Sequence, residues 1–212
     1  MLLKVYRLVA IWFPILTFVG KFAVSGITLT WTEDLVALRA LYQECGGGNW
    51  KLPWGDITID ICASSTKFTG VTCETFYSVN PLRPGRFWFV TAIQLGMNGL
   101  NCRDFTLGGN HLSHLKTLDL SGTTGLNKNA IEVITKNAPG LTELNIGGTF
   151  PLLRYTSNSS RELNQSVCKL KQLRSLYLND NGFTSLPHCF NFDSFPFLDI
   201  LDLSANYLNT LT

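Results

Sequence analysis

Apolar positions in the second half of the chain recur in one local pattern, L-x-x-L-x-L-x-x-N-x-L. Val90, Ile93, Leu95, Asn98 and Leu100 fit it. Leu173, Leu176, Leu178, Asn181 and Phe183 fit it with Phe in the last place, and Leu198, Leu201, Leu203, Asn206 and Leu208 fit throughout. Two weaker copies lie between. In one, Leu115, Leu118 and Leu120 are followed by Thr123 at the asparagine place and Leu126 one place late. In the other, Leu141, Leu144 and Ile146 are followed by Thr149 and by Leu152, again one place late. The first apolar positions are spaced by 25, 26, 32 and 25 residues. The x-L-x-L-x core has the period of a short strand with one buried face. The asparagine turns the chain and can bond backbone groups of a neighbouring coil. No coil buries its leucines alone, so the pattern predicts stacked coils with their strands in a parallel sheet on the concave side.

Five register-matched copies resemble the leucine-rich repeat family, over residues 90–212. The preceding residues resemble the N-terminal cap of plant-type and protist receptor-like members. The matching positions are 34–38 (DLVAL), Trp50, Trp54, Asp60, Cys62 and 68–73 (FTGVTC), closing on 90–93. The resemblance implies an α/β fold: a solenoid horseshoe with a parallel concave sheet and a helical, disulfide-linked cap shielding one end of its hydrophobic column. It also implies that Cys62 pairs with Cys73. The chain departs from the family at 63–67, where the spacing between those cysteines is longer than usual, and at 83–89, which reads as an insertion or divergent loop. The expected organisation is a signal peptide at 1–25, a cap at 26–89 and about five repeats at 90–212, without a C-terminal cap.

The residues of the cap also carry their own reading. Thr30-x-x-Glu33 is a capping-box pattern and predicts a helix start there. Leu35, Leu38, Leu41 and Tyr42 give that helix an apolar stripe, and Gly46, Gly47 and Gly48 end it. Such a helix is expected to lie on the exposed end of the first coil.

At the N-terminus, Lys4 and Arg7 precede thirteen uncharged residues, 8–20. This run is short of the roughly 20 residues of a membrane span. Ala23 and Ser25 place a signal-peptidase cut after Ser25, with an uncleaved signal anchor as the other reading. Export makes the chain secreted or cell-surface. The formal charge of +2 belongs to the leader, since 1–25 holds Lys4, Arg7, Lys21 and no acid. No basic footprint for nucleic acid remains. With 45% hydrophobic and 15% charged residues, the chain is not a disordered one.

In an oxidising compartment six cysteines invite disulfides. Cys168 and Cys189 fall on adjacent coils, where a bridge and two buried free thiols both fit. Cys45 and Cys102 remain by elimination. No C-x-x-C spacing supports a zinc site. Two sequons, at Asn158 and Asn164, fall in the one long interval of the array, where an enlarged polar loop tolerates a glycan.

Neither a catalytic constellation nor a cofactor motif is present in the sequence. His111 and His114 have no carboxylate or cysteine partner nearby in sequence and read as solvated convex surface. Asp119 and Asp202 occupy the same place in separate repeats and do not form a dyad.

Residues between the strand leucines face solvent. The expected ligand-binding set on the concave face is Gln94, Asp119, Glu143, Asn145, Tyr177, Asn179 and Asp202, with Arg174 beside Tyr177 as a donor fork. Five strands at about 4.8 Å span roughly 20 Å. That suits a peptide or glycan fragment and is thin for a protein interface burying about 800 Å² per partner. The array stops within its fifth coil. This leads us to expect a longer receptor-like protein, with membrane attachment only if that form carries a span, or else end-to-end self-association of a short one. The expected function is extracellular recognition of a protein, peptide or glycan partner. A secreted enzyme inhibitor or a cell-wall or surface structural protein is the alternative, and enzymatic activity is not expected.

Overall fold

The structure is a computed structural model that describes residues 30, 32–55, 61–62, 68–78, 85–127, 129–150, 162–191 and 193–209. The expected signal peptide, Asp60, residues 63–67, Asn158 and Leu152 lie outside the described residues.

Among the described residues, helix α1 (Thr32–Glu44) is followed by strands β1 (Val71–Ser78) and β2 (Gly85–Gln94). Four three-residue strands then follow: β3 (Thr117–Asp119), β4 (Glu143–Asn145), β5 (Ser175–Tyr177) and β6 (Ile200–Asp202). Helix α2 (Ala130–Asn137) joins β3 to β4, and 3₁₀ turns at Leu107–Gly109 and Gln165–Lys169 lie on two other return segments. The six strands form one sheet in chain order. β1 pairs antiparallel with β2, and every later neighbour is parallel.

The parallel part repeats one register. Ile93, Leu118, Leu144, Leu176 and Leu201 stand side by side. The first four are at most 1% exposed, whereas Leu201, on the last described strand, is 41% exposed. Each strand leucine is thus sealed by the next coil, as expected when a coil cannot close its own core.

β2 has two roles. Residues 85–93, apart from Thr91, pair with β1, and its last three residues also pair with β3. It therefore runs through the expected boundary at residue 90. Residues 85–89, read from sequence as part of an insertion or loop, are strand. Their apolar residues Phe87, Trp88 and Phe89 suit a pleated, half-buried surface. Between Thr72 and Cys73 the partner jumps from Ala92 to Val90, leaving Thr91 as the extra residue of a β-bulge.

Helix α1 begins within two residues of the capping-box threonine. The Thr30 hydroxyl accepts the Cys62 N–H at 3.1 Å and its backbone bridges to Trp88, so this residue serves both the sheet and the disulfide loop. The buried face of α1 is Asp34, Ala37, Leu38 and Leu41, with Leu35 and Tyr42 partly buried. A carboxylate thus lies on a stripe read from sequence as apolar. Gly46 ends the helix with φ 70°, and a Cβ on Gly47 would fall 2.1 Å from the Tyr42 ring.

The helix is fastened to the first coil at its C-terminal end. The Glu44 carboxylate accepts the N–H groups of Thr106 and Leu107 at 2.8 and 3.2 Å, and the Cys45–Cys102 disulfide lies beside it. Tyr42, Trp50, Trp54 and Phe68 pack in succession, with neighbouring centroids 5.4, 4.9 and 5.9 Å apart. The indoles donate to the Cys45 and Thr69 carbonyls. The other disulfides are Cys62–Cys73 and Cys168–Cys189.

Candidate functional site

The open face of the sheet carries three rows of side chains between the buried ones. Register aligns Ala92, Thr117, Glu143, Ser175 and Ile200 in one row, and Gln94, Asp119, Asn145, Tyr177 and Asp202 in the next. Gly96, Ser121, Gly147, Asn179 and Ser204 continue beyond the strand ends. None of these residues is basic, and three are carboxylates.

Several residues expected to bind ligand serve their own turns. Asp119 Oδ1 accepts the Ser121 N–H at 2.9 Å, Asn145 Oδ1 the Gly147 N–H at 3.1 Å, and Asp202 Oδ1 the Ser204 N–H at 2.9 Å. A short polar side chain here replaces the partner that the strand end lacks. The bonds from Ser204 also lower the pKa of Asp202. Tyr177 and Gln94 occupy the same row and are too long for this turn. Arg174 stands outside the three rows, at the start of β5, where it pairs with Asp199 at 3.6 Å and lies 5.8 Å from the Phe197 ring centroid.

The turn after each of β2 to β6 passes through a left-handed residue. Met97, Gly122, Gly148, Asp180 and Ala205 have φ of 56, 67, 65, 59 and 53°. The repeat therefore requires positive φ whatever residue stands there. The next position is the asparagine place. Asn181 is fully buried; its amide donates to the Ile146 and Leu178 carbonyls and its oxygen accepts from Thr149 and Phe150 N–H. Asn98 instead holds the N-terminal segment, accepting the Leu52 N–H at 2.7 Å.

A cleft of about 340 Å³ lies at the β2 end of this face. It joins Gln94 to Lys51, Leu52, Thr69, Met97 and Asn98, of which Leu52 is 56% and Met97 66% exposed. Of the lining residues only Gln94 belongs to the expected ligand-binding set. The other signal was an unusual methionine where two neighbouring coils carry glycine.

On the return side, a cleft of about 590 Å³ is lined by Glu132 of α2 together with Glu162, Asn164, Gln165 and Lys169. The Asn164 side-chain oxygen accepts the Ser166 N–H and starts the 3₁₀ turn. His114 is not solvated surface. Its ring lies 4.0 Å from Phe89 and 4.8 Å from Phe76, and burial, with the Lys116 charge, lowers its pKa. The β1–β2 hairpin, absent from the sequence reading, is what covers it. Among the described residues no group of three metal-binding side chains occurs, and no helix is long and apolar enough to cross a membrane.

Strands in one repeated register, left-handed turns and a buried asparagine place together define a leucine-rich repeat fold. Solved structures share it, two of them from one plant. The BIR2 ectodomain from Arabidopsis thaliana is 17% identical with a TM-score of 0.51, over 82% of this chain and 93% of that one. The BIR3–SERK2 complex from Arabidopsis thaliana is 19% identical with a TM-score of 0.50, over 82% and 81%. These identities make the likeness one of fold. No protein-family model matches the chain, and no curated protein matches it.

Proposed function

We propose that the chain is an extracellular recognition module of a receptor-like protein, and that its concave sheet face binds a protein partner. The observation that carries this is the open face itself. Tyr177 stands in a continuous row of solvent-facing side chains, flanked by Asn145 and Asp202, with Gln94 and its cleft at the far end. An amphipathic aromatic among small polar neighbours is the composition of a binding hot spot. The carboxylates of Asp119, Glu143 and Asp202 favour a partner segment that brings basic groups or N–H donors. On this reading the N-terminal segment is a cap, Asn164 is glycosylated, and the protein is secreted or held at the cell surface. Disulfide pairing suits that compartment, and one structure of similar fold is of a complex between two proteins.

The test is a binding screen of the purified chain against an array of secreted and cell-surface ectodomains. Partners found should lose at least tenfold in affinity with Tyr177→Ala and weaken as salt rises. Glu132→Ala, on the opposite side, should leave them unchanged. Partners indifferent to Tyr177→Ala and sensitive to Glu132→Ala would place recognition on the return side instead.

A further inference from the structure

Asp34 is a buried ionisable group that the recognition surface does not use. None of its surface is exposed. Its Oδ2 accepts the Val90 N–H at 2.7 Å, and its Oδ1 has no hydrogen-bond partner among the described residues. β3 joins β2 only from Ala92 onward. Before that point, Thr30 bridges Trp88 and Asp34 holds Val90, immediately beside the bulged Thr91. These two residues stand in for a strand where the N-terminal helix meets the first coil.

We propose that Asp34 is a proton-operated latch between α1 and β2: with its proton it holds the helix closed on the first coil, and on losing the proton it loosens that contact. One N–H is poor compensation for a carboxylate removed from water. Burial accordingly raises its pKa from 3.8 to about 7. The Val90 hydrogen bond works against that rise, and the like charge of Glu33 adds to it.

Among the described residues, no charged group on the surrounding elements acts on Asp34 as a counter-ion. Glu33 is exposed, and Glu44 is committed to Thr106 and Leu107. Glu74 on β1 is exposed, and Arg86 on β2 donates to Thr75. In the first coil, His114 lies against Phe89, and the exposed Lys116 reaches the Gly140 carbonyl. None of them pairs with Asp34.

The direction of the pH effect follows from which state holds the proton. The unfolded carboxyl releases it near 3.8 and the folded one near 7, so the closed state holds a proton that the open state lacks in between. Stability at this contact is therefore full in acid and falls as pH rises through that window, by up to about tenfold in the opening constant per pH unit, levelling above about pH 7. His114 acts oppositely: its lowered pKa disfavours the closed state in acid.

Hydrogen exchange of the whole chain tests this, with rates corrected for intrinsic pH dependence. The opening constant of α1 and of the Val90 amide should rise about tenfold from pH 5 to pH 6 and level near pH 7. Asp34→Asn should abolish the rise, while His114→Gln should leave it in place. A variant of Asp34 that keeps the wild-type profile overturns the proposal. A carbon-13 titration of the wild-type Asp34 carboxyl decides the matter even if that variant does not fold. A midpoint near 7 supports the latch, and one near the ordinary 3.8 overturns it.

Discussion

Asn206 reaches back across 25 residues to accept the Asn181 N–H at 3.2 Å, while its own amide donates to the Leu178 and Leu203 carbonyls. One asparagine thus secures the turn in which the previous asparagine sits. Asn181 repeats the arrangement toward Thr149 and Phe150. The repeats are coupled through these amides as well as through leucines.

Asn181→Ala leaves buried donors and acceptors of two coils without partners. Each such group costs about 1–3 kcal/mol, so the variant should lose at least about 3 kcal/mol. Asn206→Ala, at a half-exposed turn, should lose less. Urea unfolding of the two variants checks the order.

The left-handed position gives a test with opposite signs. Ala205→Gly removes a Cβ from φ 53° and should stabilise by about 0.5–1 kcal/mol after the added unfolded-state entropy. Gly122→Ala places a Cβ at φ 67° and 2.4 Å from the Met97 sulfur, and should destabilise by about 1–2 kcal/mol. Thermal unfolding of both variants measures the difference.

Asp119 separates a turn role from a ligand role. Asp119→Asn retains an oxygen for the Ser121 N–H, as Asn145 does for Gly147, and should keep wild-type stability. Asp119→Ala should cost about 1 kcal/mol in chemical denaturation. Equal losses in both variants would mean that the charge, and not the turn, is what matters there.

The disulfides are expected to rank by the loop each closes. Cys45–Cys102 spans 57 residues and Cys62–Cys73 spans 11. Replacing the first pair by alanine should cost about 4 kcal/mol and the second about 3 kcal/mol, measured by denaturant unfolding under non-reducing conditions.

The repeat strands were legible in the sequence because their physics is local. A period of two buries Leu118, Leu144 and Leu176 wherever the coil is placed, and the asparagine place marks the turn within a few residues of its own strand. Five spaced copies then leave stacking as the way to cover those leucines. The open-face rows follow from the same period, so Tyr177 and Gln94 could be read directly.

What the tertiary structure decided rests on contacts between distant residues. Asp34 lies on a helix whose pattern resembles any amphipathic one, and only the packing that sets it against Val90, 56 residues away, decides that it is buried. Asp119 and Asp202 show a free carboxylate in sequence, yet the backbone N–H two residues on claims an oxygen of each once the turn has closed. His114 became half-buried because β1 and β2 extend past the repeat register and lay Phe76 and Phe89 against its ring. A one-dimensional pattern records the period of each element. Which polar groups lose water, and which bonds replace it, depends on the element that comes to lie alongside.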